Sequence, residues 1–339
     1  MTYVLVHAEP LRPGRLQEIQ PHLAGLPIEV VGPKADDDQA LADLVRTGTF
    51  LMTTRRRIPS SIIEAGERLR LIQVVGLSAA HVDVAAATRC GVAVAVQEDV
   101  GRIAVAEHGM ALLLALAKKI PEAHRRVASG ETPPGMTPVL TTERIIAFNW
   151  LNLDATVLAG KVAGLIGLGE IGQAMARMLR GFRMDVLYYR RRRLPEEEER
   201  QQGVTYAPLD DLLRRSDFVT VIVPHTPETE RMIGERELGL MKATACFINI
   251  GRGNVVDEDA LIAALQERRI AGAGLDVFRL EPLPPTSPLL RLDNVVLTPH
   301  SANAGSAVVR WPAILANFRR AVSGERVEGI VNGVQPRLS

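Results

Sequence analysis

Short apolar runs alternate with amphipathic segments along most of this chain. In its N-terminal part, β-rich runs predict strands at Tyr3–His7, Ile28–Val31, Phe50–Thr53, Leu71–Val75 and Val92–Val96. Helical patterns lie between them at Pro13–Ala24, Asp38–Arg46 and Ser60–Gly66. Strands that alternate with helices are typical of a parallel, doubly wound sheet, so we predict a first α/β unit here.

A second α/β unit begins at Lys161. Its predicted strands are Val162–Ile166, Asp185–Tyr189, Phe218–Val223, Ala245–Ile250, Gly272–Asp276 and Val295–Thr298. Its predicted helices are Gln173–Leu179, Leu209–Arg214, Glu235–Leu240 and Glu258–Glu267. Six strands with five connections match a complete dinucleotide-binding sheet.

Three further segments frame the second unit. Ile103–Lys119 is apolar on nearly every face, which predicts a buried helix. The stretch from Pro121 to Asp154 is rich in Pro, Gly and Thr and is predicted to be irregular. A last helix, Ala304–Val322, is expected to return to the first unit. The domains are therefore predicted as 1–103 plus 304–339 and, inserted between them, 104–303.

Composition adds mainly exclusions. The 339 residues are 47% hydrophobic with a net charge of +1, so the chain can bury a full core and shows no global preference for nucleic acid or anionic membranes. The two cysteines, Cys90 and Cys246, are too few for a metal or disulfide framework and are each predicted to be small buried hydrophobes. Met1–His7 lacks a basic leader pattern, and the apolar stretch Gly109–Ala117 is short for a bilayer span. We expect a cytoplasmic protein without membrane, metal or nucleic-acid partners.

The most informative motif is Gly167-Leu-Gly169-Glu-Ile-Gly172, which leaves a predicted strand and opens a predicted helix. A lone G-x-G-x-x-G is a weak signal, but in this setting it predicts dinucleotide binding. Gly167 permits the tight turn, Gly169 lets the backbone approach a pyrophosphate, and Gly172 lets the helix pack closely on the strand. The helix N-terminus then favours the phosphates.

The strand Asp185–Tyr189 should be followed by an acid that binds the ribose hydroxyls, but Arg190-Arg191-Arg192-Arg193 follows it. Arg190 lies 190 − 169 = 21 residues after the middle glycine, where about 20 is typical for that acid. An arginine there removes the repulsion of a 2′-phosphate and offers it a donor fork. We therefore predict that NADP(H) is preferred over NAD(H), with Arg192 and Arg193 pairing with the acids of Glu196–Glu199.

Polar residues follow three later strands of the second unit. Arg252 lies between two glycines, and its rigid donor fork suits a carboxylate. Glu281 precedes a Pro-rich loop, and His300 is a candidate general acid or base because histidine titrates near neutral pH. A surface arginine, a solvated acid and an exposed histidine are the alternatives for each residue alone. Because all three residues are predicted at one edge of a nucleotide-binding sheet, we interpret them together as a catalytic site.

With these motifs in place, the chain resembles the D-isomer-specific 2-hydroxyacid dehydrogenases from about Leu69 to Asn332. The matching segments are Val105-Ala-Glu-His108, Gly167–Gly172, Val223-Pro-His-Thr-Pro-Glu-Thr229, Asn249–Asp257, Leu275–Phe278 with Glu281-Pro282, Thr298-Pro-His300 and Val331-Asn332. The resemblance implies an α/β fold of two doubly wound domains, with a Rossmann cofactor domain inserted into a flavodoxin-like substrate domain. It also implies a homodimer formed through the cofactor domain.

The resemblance assigns a role to each site residue. Arg252 would bind the substrate carboxylate and polarise the keto group, His300 would be the acid/base, and Glu281 would hydrogen-bond His300. Asp276 would bind the nicotinamide carboxamide. Backbone N–H groups of Val75, Gly76 and Leu77 would hold the substrate carboxylate. The cofactor would contact Gly167, Leu168, Gly169, Glu170, Ile171, Gly172, Arg190, Arg191, Val223, Pro224, Thr229, Ile250, Gly251, Arg252, Asp276, His300 and Ala302.

The leading hypothesis is an NADP(H)-favouring oxidoreductase that reduces small 2-keto acids of the glyoxylate or hydroxypyruvate type. Formate dehydrogenases share this fold but place Gln beside the histidine, so Glu281 argues against that branch; phosphite oxidation stays open. A dinucleotide-sensing protein like the corepressors of this fold is a further alternative. The segments Gln97–Ala104 and Ser301–Ala304 depart from the family pattern. Trp311 is predicted to line either the pocket or, more commonly for tryptophan, a core or interface.

Overall fold

A computed structural model describes residues 2–11, 14–97, 99–138, 149–304 and 306–338. The chain forms two compact units. The first unit consists of Met1–Gly101 and Gly305–Ser339, and the second of Arg102–Ala304.

The first unit is built on a five-stranded parallel sheet in the order β2-β1-β3-β4-β5. Its elements are β1 Tyr3–His7, α1 Arg15–Ile19, β2 Ile28–Val31, α2 Asp38–Thr47, β3 Phe50–Thr53, α3 Ser60–Glu64, β4 Leu71–Val75, α4 Val84–Arg89 and β5 Ala93–Gln97, with a 3-10 helix at Gln20–Leu23. This order is that of flavodoxin-like sheets.

The second unit contains a seven-stranded parallel sheet in the order β12-β11-β10-β9-β6-β7-β8. Its elements are α5 Val100–Ala117 (which begins at the unit boundary), α6 Ile120–Ala128, β6 Val162–Ile166, α7 Glu170–Gly181, β7 Asp185–Tyr189, α8 Glu196–Gln202, β8 Thr205–Tyr206, α9 Leu209–Arg215, β9 Phe218–Val221, α10 Glu235–Gly239, β10 Cys246–Asn249, α11 Glu258–Gln266, β11 Gly272–Leu275 and β12 Val295–Leu297. The first strand, β6, lies between β7 and β9, so the chain changes direction across the sheet beside the glycine motif. This is the Rossmann arrangement, and it confirms the predicted fold class.

The last helix, α12 Ser306–Val322, belongs to the first unit. Trp311, Leu315 and Phe318 are buried there against Leu5 and Phe50. Trp311 is 2% exposed, so it is a core residue of the first unit.

Several expectations about local structure were wrong. The second unit has a seventh strand, β8, that the sequence analysis did not predict. A strand of two residues is too short to show an alternation of apolar and polar residues. The charged segment after β7, where no helix was predicted, contains the helix α8. Its Glu199 is buried and accepts a hydrogen bond from the Tyr188 hydroxyl at 2.7 Å. Part of the stretch predicted as irregular is the helix α6, none of whose residues is buried. Cys90 is exposed, whereas Cys246 is partly buried.

The helix α5 extends further than the apolar stretch considered too short for a bilayer. Its 18 residues are, in the described part of the chain, the one helix long and apolar enough to cross a membrane by length and composition. Buried core helices have the same composition, and Ala106, Leu112 and Leu113 of α5 are buried in the core of the second unit. A Cβ on Gly109 would lie 2.8 Å from Ile250 Cδ1, so this glycine lets α5 pack closely beside β10.

Candidate active site

The glycine motif has the geometry of a phosphate-binding turn. Gly167 has a φ of +106°, which favours glycine, and its N–H donates to Tyr189 O at the end of β7. A Cβ on Gly172 would lie 2.5 Å from Gly167 O, so only glycine lets α7 begin this close to the turn. At Gly169 a Cβ would meet no atom within 4 Å, which leaves open space in front of the helix.

These features fit a dinucleotide. α7 is 12 residues long, and no side chain caps its N-terminus. The first backbone N–H groups of a helix lack intrahelical partners and carry a partial positive charge, so they can hold the two phosphates in the space beside Gly169. Leu168 is 2% exposed and packs in the core of the second unit. Glu170 forms an ion pair with Arg102, which neutralises an acid near the phosphate position.

The four arginines after β7 have different environments. Arg193 forms a bidentate ion pair with Glu199, with distances of 2.8 and 2.9 Å, as predicted. No ion pair of Arg192 is found among the described residues. Arg190 is partly buried directly after β7, whereas Arg191 is exposed. Arg190 therefore stands at the strand end where the cofactor ribose is bound in such sheets.

The loop that carries Arg252 is shaped by its neighbours. The buried Asn249 accepts a hydrogen bond from Gly251 N at 3.0 Å and donates one to Arg252 O at 3.1 Å. A Cβ on Gly251 would lie 2.8 Å from Val223 O, and one on Gly253 would lie 1.9 Å from Phe278 O. The two glycines thus allow the backbone to pass between adjacent loops. The exposed Arg252 side chain hydrogen-bonds Gly251 O at 2.6 Å, and no carboxylate of a described residue pairs with it.

The loop after β9 is held by Thr229. Its hydroxyl accepts from Thr226 N at 2.8 Å and donates to Pro224 O at 2.7 Å. Thr229 therefore maintains the loop that contains Val223 and Pro224, next to the glycine turn. Ile250 is 5% exposed and packs in the core below Arg252.

His300 and Glu281 form a close pair. The Nδ1 atom of His300 lies 2.6 Å from Glu281 Oε2, and Glu281 Oε1 accepts from Phe278 N at 3.0 Å. Partial burial raises the pKa of the Glu281 carboxyl, but the hydrogen bonds from His300 and Phe278 N outweigh it, and the net effect is a lowered pKa. His300 has a φ of +52°, an uncommon conformation for a non-glycine residue that must be held by its surroundings.

Asp276 holds the loop that presents His300. Its carboxylate is 1% exposed and accepts from Ser301 N at 2.8 Å and from Ala302 N at 3.0 Å. It also accepts from Thr298 Oγ1 at 2.7 Å. The residues on both sides of His300 are thereby fixed to the end of β11. The sequence analysis did not identify Thr298 as a site residue or predict the role of Asn249. Asn249 ends β10 and Thr298 directly follows β12, and a polar residue at the end of a strand is the sequence signal that could have indicated both.

Three adjacent parallel strands bring these loops together. Asn249 of β10 pairs with Leu275 of β11, and Leu275 pairs with Leu297 of β12. The Arg252, Asp276 and His300 loops therefore leave neighbouring strand ends at one edge. A cavity of about 530 Å³ lies against His300 and Glu281 and is otherwise lined mainly by apolar residues, including Phe278, Leu283 and Leu297. Arg252 is not among the residues that line this cavity. The strand ends thus place a proton donor and a carboxylate-binding fork at one edge of the sheet.

In the first unit, the predicted carboxylate-binding segment follows β4. Val75 pairs with Gln97 of β5, and Gly76 N donates to Gln97 O at 2.8 Å. The Gly76 N–H is thus already engaged, which is a departure from the predicted role. Among the described residues, Leu77 N has no backbone or side-chain acceptor.

Comparisons with known proteins identify the family of this chain. The family profile of the D-isomer specific 2-hydroxyacid dehydrogenase, NAD binding domain, matches residues 110–302, more than half of the chain. The chain is 42% identical over 317 residues to a glyoxylate reductase from Thermococcus gammatolerans, covering 93% of this chain and 89% of the relative. It is 41% identical over 320 residues to a glyoxylate reductase from Thermococcus kodakarensis, with coverage of 93% and 89%.

Solved structures show the same similarity over the whole chain. An NADPH-dependent glyoxylate/hydroxypyruvate reductase from Sinorhizobium meliloti, in complex with NADP and malonate, matches with a TM-score of 0.55, 28% identity and full coverage of both chains. The PH0520 protein from Pyrococcus horikoshii matches with a TM-score of 0.59 and 26% identity over 98% of this chain and 96% of that chain. The chain belongs to the D-isomer specific 2-hydroxyacid dehydrogenases, and it is an NAD(P)-dependent oxidoreductase of small 2-keto or 2-hydroxy acids.

Proposed function

We propose that this enzyme reduces glyoxylate- or hydroxypyruvate-type 2-keto acids and prefers NADPH. The observation that carries the proposal is the Glu281–His300 pair, 2.6 Å apart, at the same sheet edge as Arg252, which no described carboxylate neutralises. The first unit would then be the substrate domain and the second the cofactor domain. The relatives named as glyoxylate reductases support this substrate class.

The residues have complementary roles in the reduction. When bound, a nicotinamide cofactor would supply the hydride that C2 of the keto acid accepts. His300 donates a proton to the keto oxygen, so the product is a 2-hydroxy acid and the imidazole is left neutral. Arg252 binds the carboxylate and stabilises the negative charge that develops on the oxygen. Glu281 holds Nδ1 of the ring and stabilises the imidazolium before transfer. A role for the backbone N–H of Leu77 in substrate binding stays a prediction.

The proposed NADPH preference depends on Arg190. Arg193 is occupied by Glu199, whereas Arg190, Arg191 and Arg192 form no ion pair among the described residues. Of these three, Arg190 is partly buried directly at the end of β7, where the ribose is bound in such sheets. A charge-assisted hydrogen bond contributes about 1.5–3 kcal/mol, which corresponds to roughly 10- to 150-fold in affinity. A bond from Asp276 to the nicotinamide carboxamide stays a prediction, because the carboxylate is 1% exposed and both of its oxygens already accept hydrogen bonds.

A homodimer is also part of the proposal. Ile120 and Val127 lie seven residues apart on one face of α6 and are 54% and 51% exposed. Val157, in the same unit, is 66% exposed. Exposed apolar residues on one helix face are the kind of surface through which chains associate, so we propose α6 as part of the dimer interface. Light scattering should give the mass of two chains, and Val127→Glu should shift the enzyme toward one chain. A cytoplasmic location stays a prediction.

The decisive experiment is a panel of glyoxylate, hydroxypyruvate, larger 2-keto acids, formate and phosphite, each with both cofactors. We expect turnover of glyoxylate or hydroxypyruvate and a higher kcat/KM with NADPH than with NADH. Turnover of formate or phosphite alone, or cofactor binding without any turnover, would contradict the proposed function. A higher kcat/KM with NADH would contradict only the role of Arg190.

A further inference from the structure

The imidazole of His108 lies beside the buried end of β11. The helix α5 packs closely on this strand at Gly274, which has no side chain. A Cβ on Gly274 would lie only 3.0 Å from Leu112 Cβ. His108 is one helical turn before Leu112, and Asp276 is two residues after Gly274 on the same face of the strand. One helical turn, from Leu112 back to His108, spans about 5.4 Å, and the two strand residues from Gly274 to Asp276 span about 6.6 Å. Because these lengths are similar, His108 lies beside Asp276.

The hydrogen bonds assign a donor role to His108. The Thr298 hydroxyl has one hydrogen, which it donates to Asp276 Oδ1 at 2.7 Å. His108 Nε2 lies 2.9 Å from the same hydroxyl oxygen, so the imidazole must donate and the hydroxyl must accept. The same Nε2 lies 3.3 Å from Asp276 Oδ1, within reach of a shared hydrogen bond. His108 thus carries its proton on Nε2.

We infer that His108 is a positioning residue for His300, which acts through Thr298 and Asp276. This inference rests on the proposed function, in which His300 is the proton donor. His108 donates to Thr298, Thr298 donates to Asp276, and Asp276 binds the N–H groups of the two residues after His300. The chain of hydrogen bonds connects the helix α5 to the loop that carries His300.

The network has a clear structural task. His300 sits between Thr298 and Ser301, and its left-handed backbone conformation is unfavourable without support. Its N–H donates to Thr298 O at 3.0 Å, so a displaced Thr298 displaces His300 as well. Without the donor from His108, the Thr298 hydroxyl and the Asp276 carboxylate lose a fixed partner in a largely buried place. The His300 ring then loses its orientation, although every group that touches the substrate is still present.

Three variants separate positioning from packing. His108→Leu removes the donor, whereas His108→Gln keeps an N–H₂ group at the place of Nε2. Glu107→Gln, at the exposed neighbouring position, is the matched control. We expect His108→Leu to lower kcat about 10- to 100-fold, as misplacement of a reacting group does, with a smaller change in KM for the keto acid. His108→Gln should restore most of kcat, and Glu107→Gln should leave it unchanged.

A second readout does not depend on turnover. In ¹⁵N-labelled enzyme without substrate, the imidazole resonances of His300 should shift in His108→Leu and much less in His108→Gln. If His108→Leu does not fold, Thr298→Val against Thr298→Ser tests the same hydrogen bonds. Unchanged His300 resonances, or equal loss of kcat in the Leu and Gln variants, would overturn the inference. If the resonances shift but no 2-keto acid is reduced, the positioning stands and the proposed function fails.

Discussion

The Nδ1 atom of His300 is 2.6 Å from Oε2 of Glu281, while the second oxygen of Glu281 accepts from Phe278 N at 3.0 Å. The carboxylate is therefore anchored to the backbone and fixes one nitrogen of the imidazole. The other nitrogen, Nε2, is the one left to exchange a proton with a substrate. The first two predictions depend on these separate roles of Nδ1, which is bound to Glu281, and Nε2, which faces proton exchange.

Glu281→Gln should lower kcat for keto-acid reduction by about 10- to 100-fold, a part of the 10²–10⁴-fold that general acid catalysis contributes. The amide still occupies the space but no longer stabilises an imidazolium, so the alkaline limb of the pH–rate profile should move to lower pH. His300→Ala serves as the reference and should lose more activity than Glu281→Gln. A wild-type pH profile in Glu281→Gln would contradict the role of the pair.

Acid should weaken the contribution of Glu281 to stability. The pKa of its carboxyl is lowered in the folded enzyme, so its ionised form is favoured by folding, and this stabilisation is present above the unfolded pKa and lost as the pH falls through the folded pKa. The difference in free energy of unfolding between wild type and Glu281→Gln should therefore shrink from pH 6 to pH 3. Urea unfolding at both pH values measures it, and a difference that grows in acid would refute the sign.

Arg252→Lys should reduce kcat/KM for the keto acid by about 10²–10³-fold, even though the charge is kept. Lysine is a point charge and lacks the planar fork that binds a carboxylate through two hydrogen bonds. The KM for NADPH should change little, because Arg252 acts mainly on the acid. Steady-state kinetics with both substrates varied tests this prediction, and near-wild-type efficiency in the lysine variant would exclude bidentate binding.

Gly253→Ala should destabilise the enzyme by about 1–3 kcal/mol or more, as overpacked sites do. The added Cβ would lie 1.9 Å from Phe278 O, a backbone atom that cannot rotate away. Gly181→Ala, in α7, is the matched control, because its Cβ would meet no atom within 4 Å. Thermal unfolding should show a lower Tm for Gly253→Ala only; equal Tm values would show that the loop yields freely.

Arg190→Asp should reverse the cofactor preference. The new carboxylate repels a 2′-phosphate and accepts hydrogen bonds from ribose hydroxyls, so kcat/KM should fall with NADPH and rise with NADH. Arg192→Asp, two residues later and exposed, should leave the ratio within about 3-fold, as surface charges contribute little. The same ratio change in both variants would show that only the general charge of the segment matters.

The difference between α6 and α7 shows which elements are readable from sequence. α7 follows the glycine motif and buries Ala174, Met175 and Leu179, so both its start and its apolar face are visible along the chain. α6 carries Ile120 and Val127 on one face, but it is short and runs into a stretch rich in turn-forming residues, whose composition led to the prediction of irregular structure. Cys90, at the end of α4, was predicted to be buried but is exposed. The burial of a single residue produces no periodic pattern in the sequence, so it could not be predicted in this way.

By itself, the sequence determined the strand and helix alternation of both units, the glycine turn, and the candidates Arg252, Glu281 and His300, because periodicity and motif spacing are properties of neighbours along the chain. Only the tertiary structure decided what holds these residues. Asn249 shapes the Arg252 loop, Gly253 packs against Phe278 O, and Asp276, Thr298 and His108 support His300. The last of these contacts joins residues 190 positions apart, and hydrogen bonds between distant segments exist only once the helix α5 has packed on the sheet.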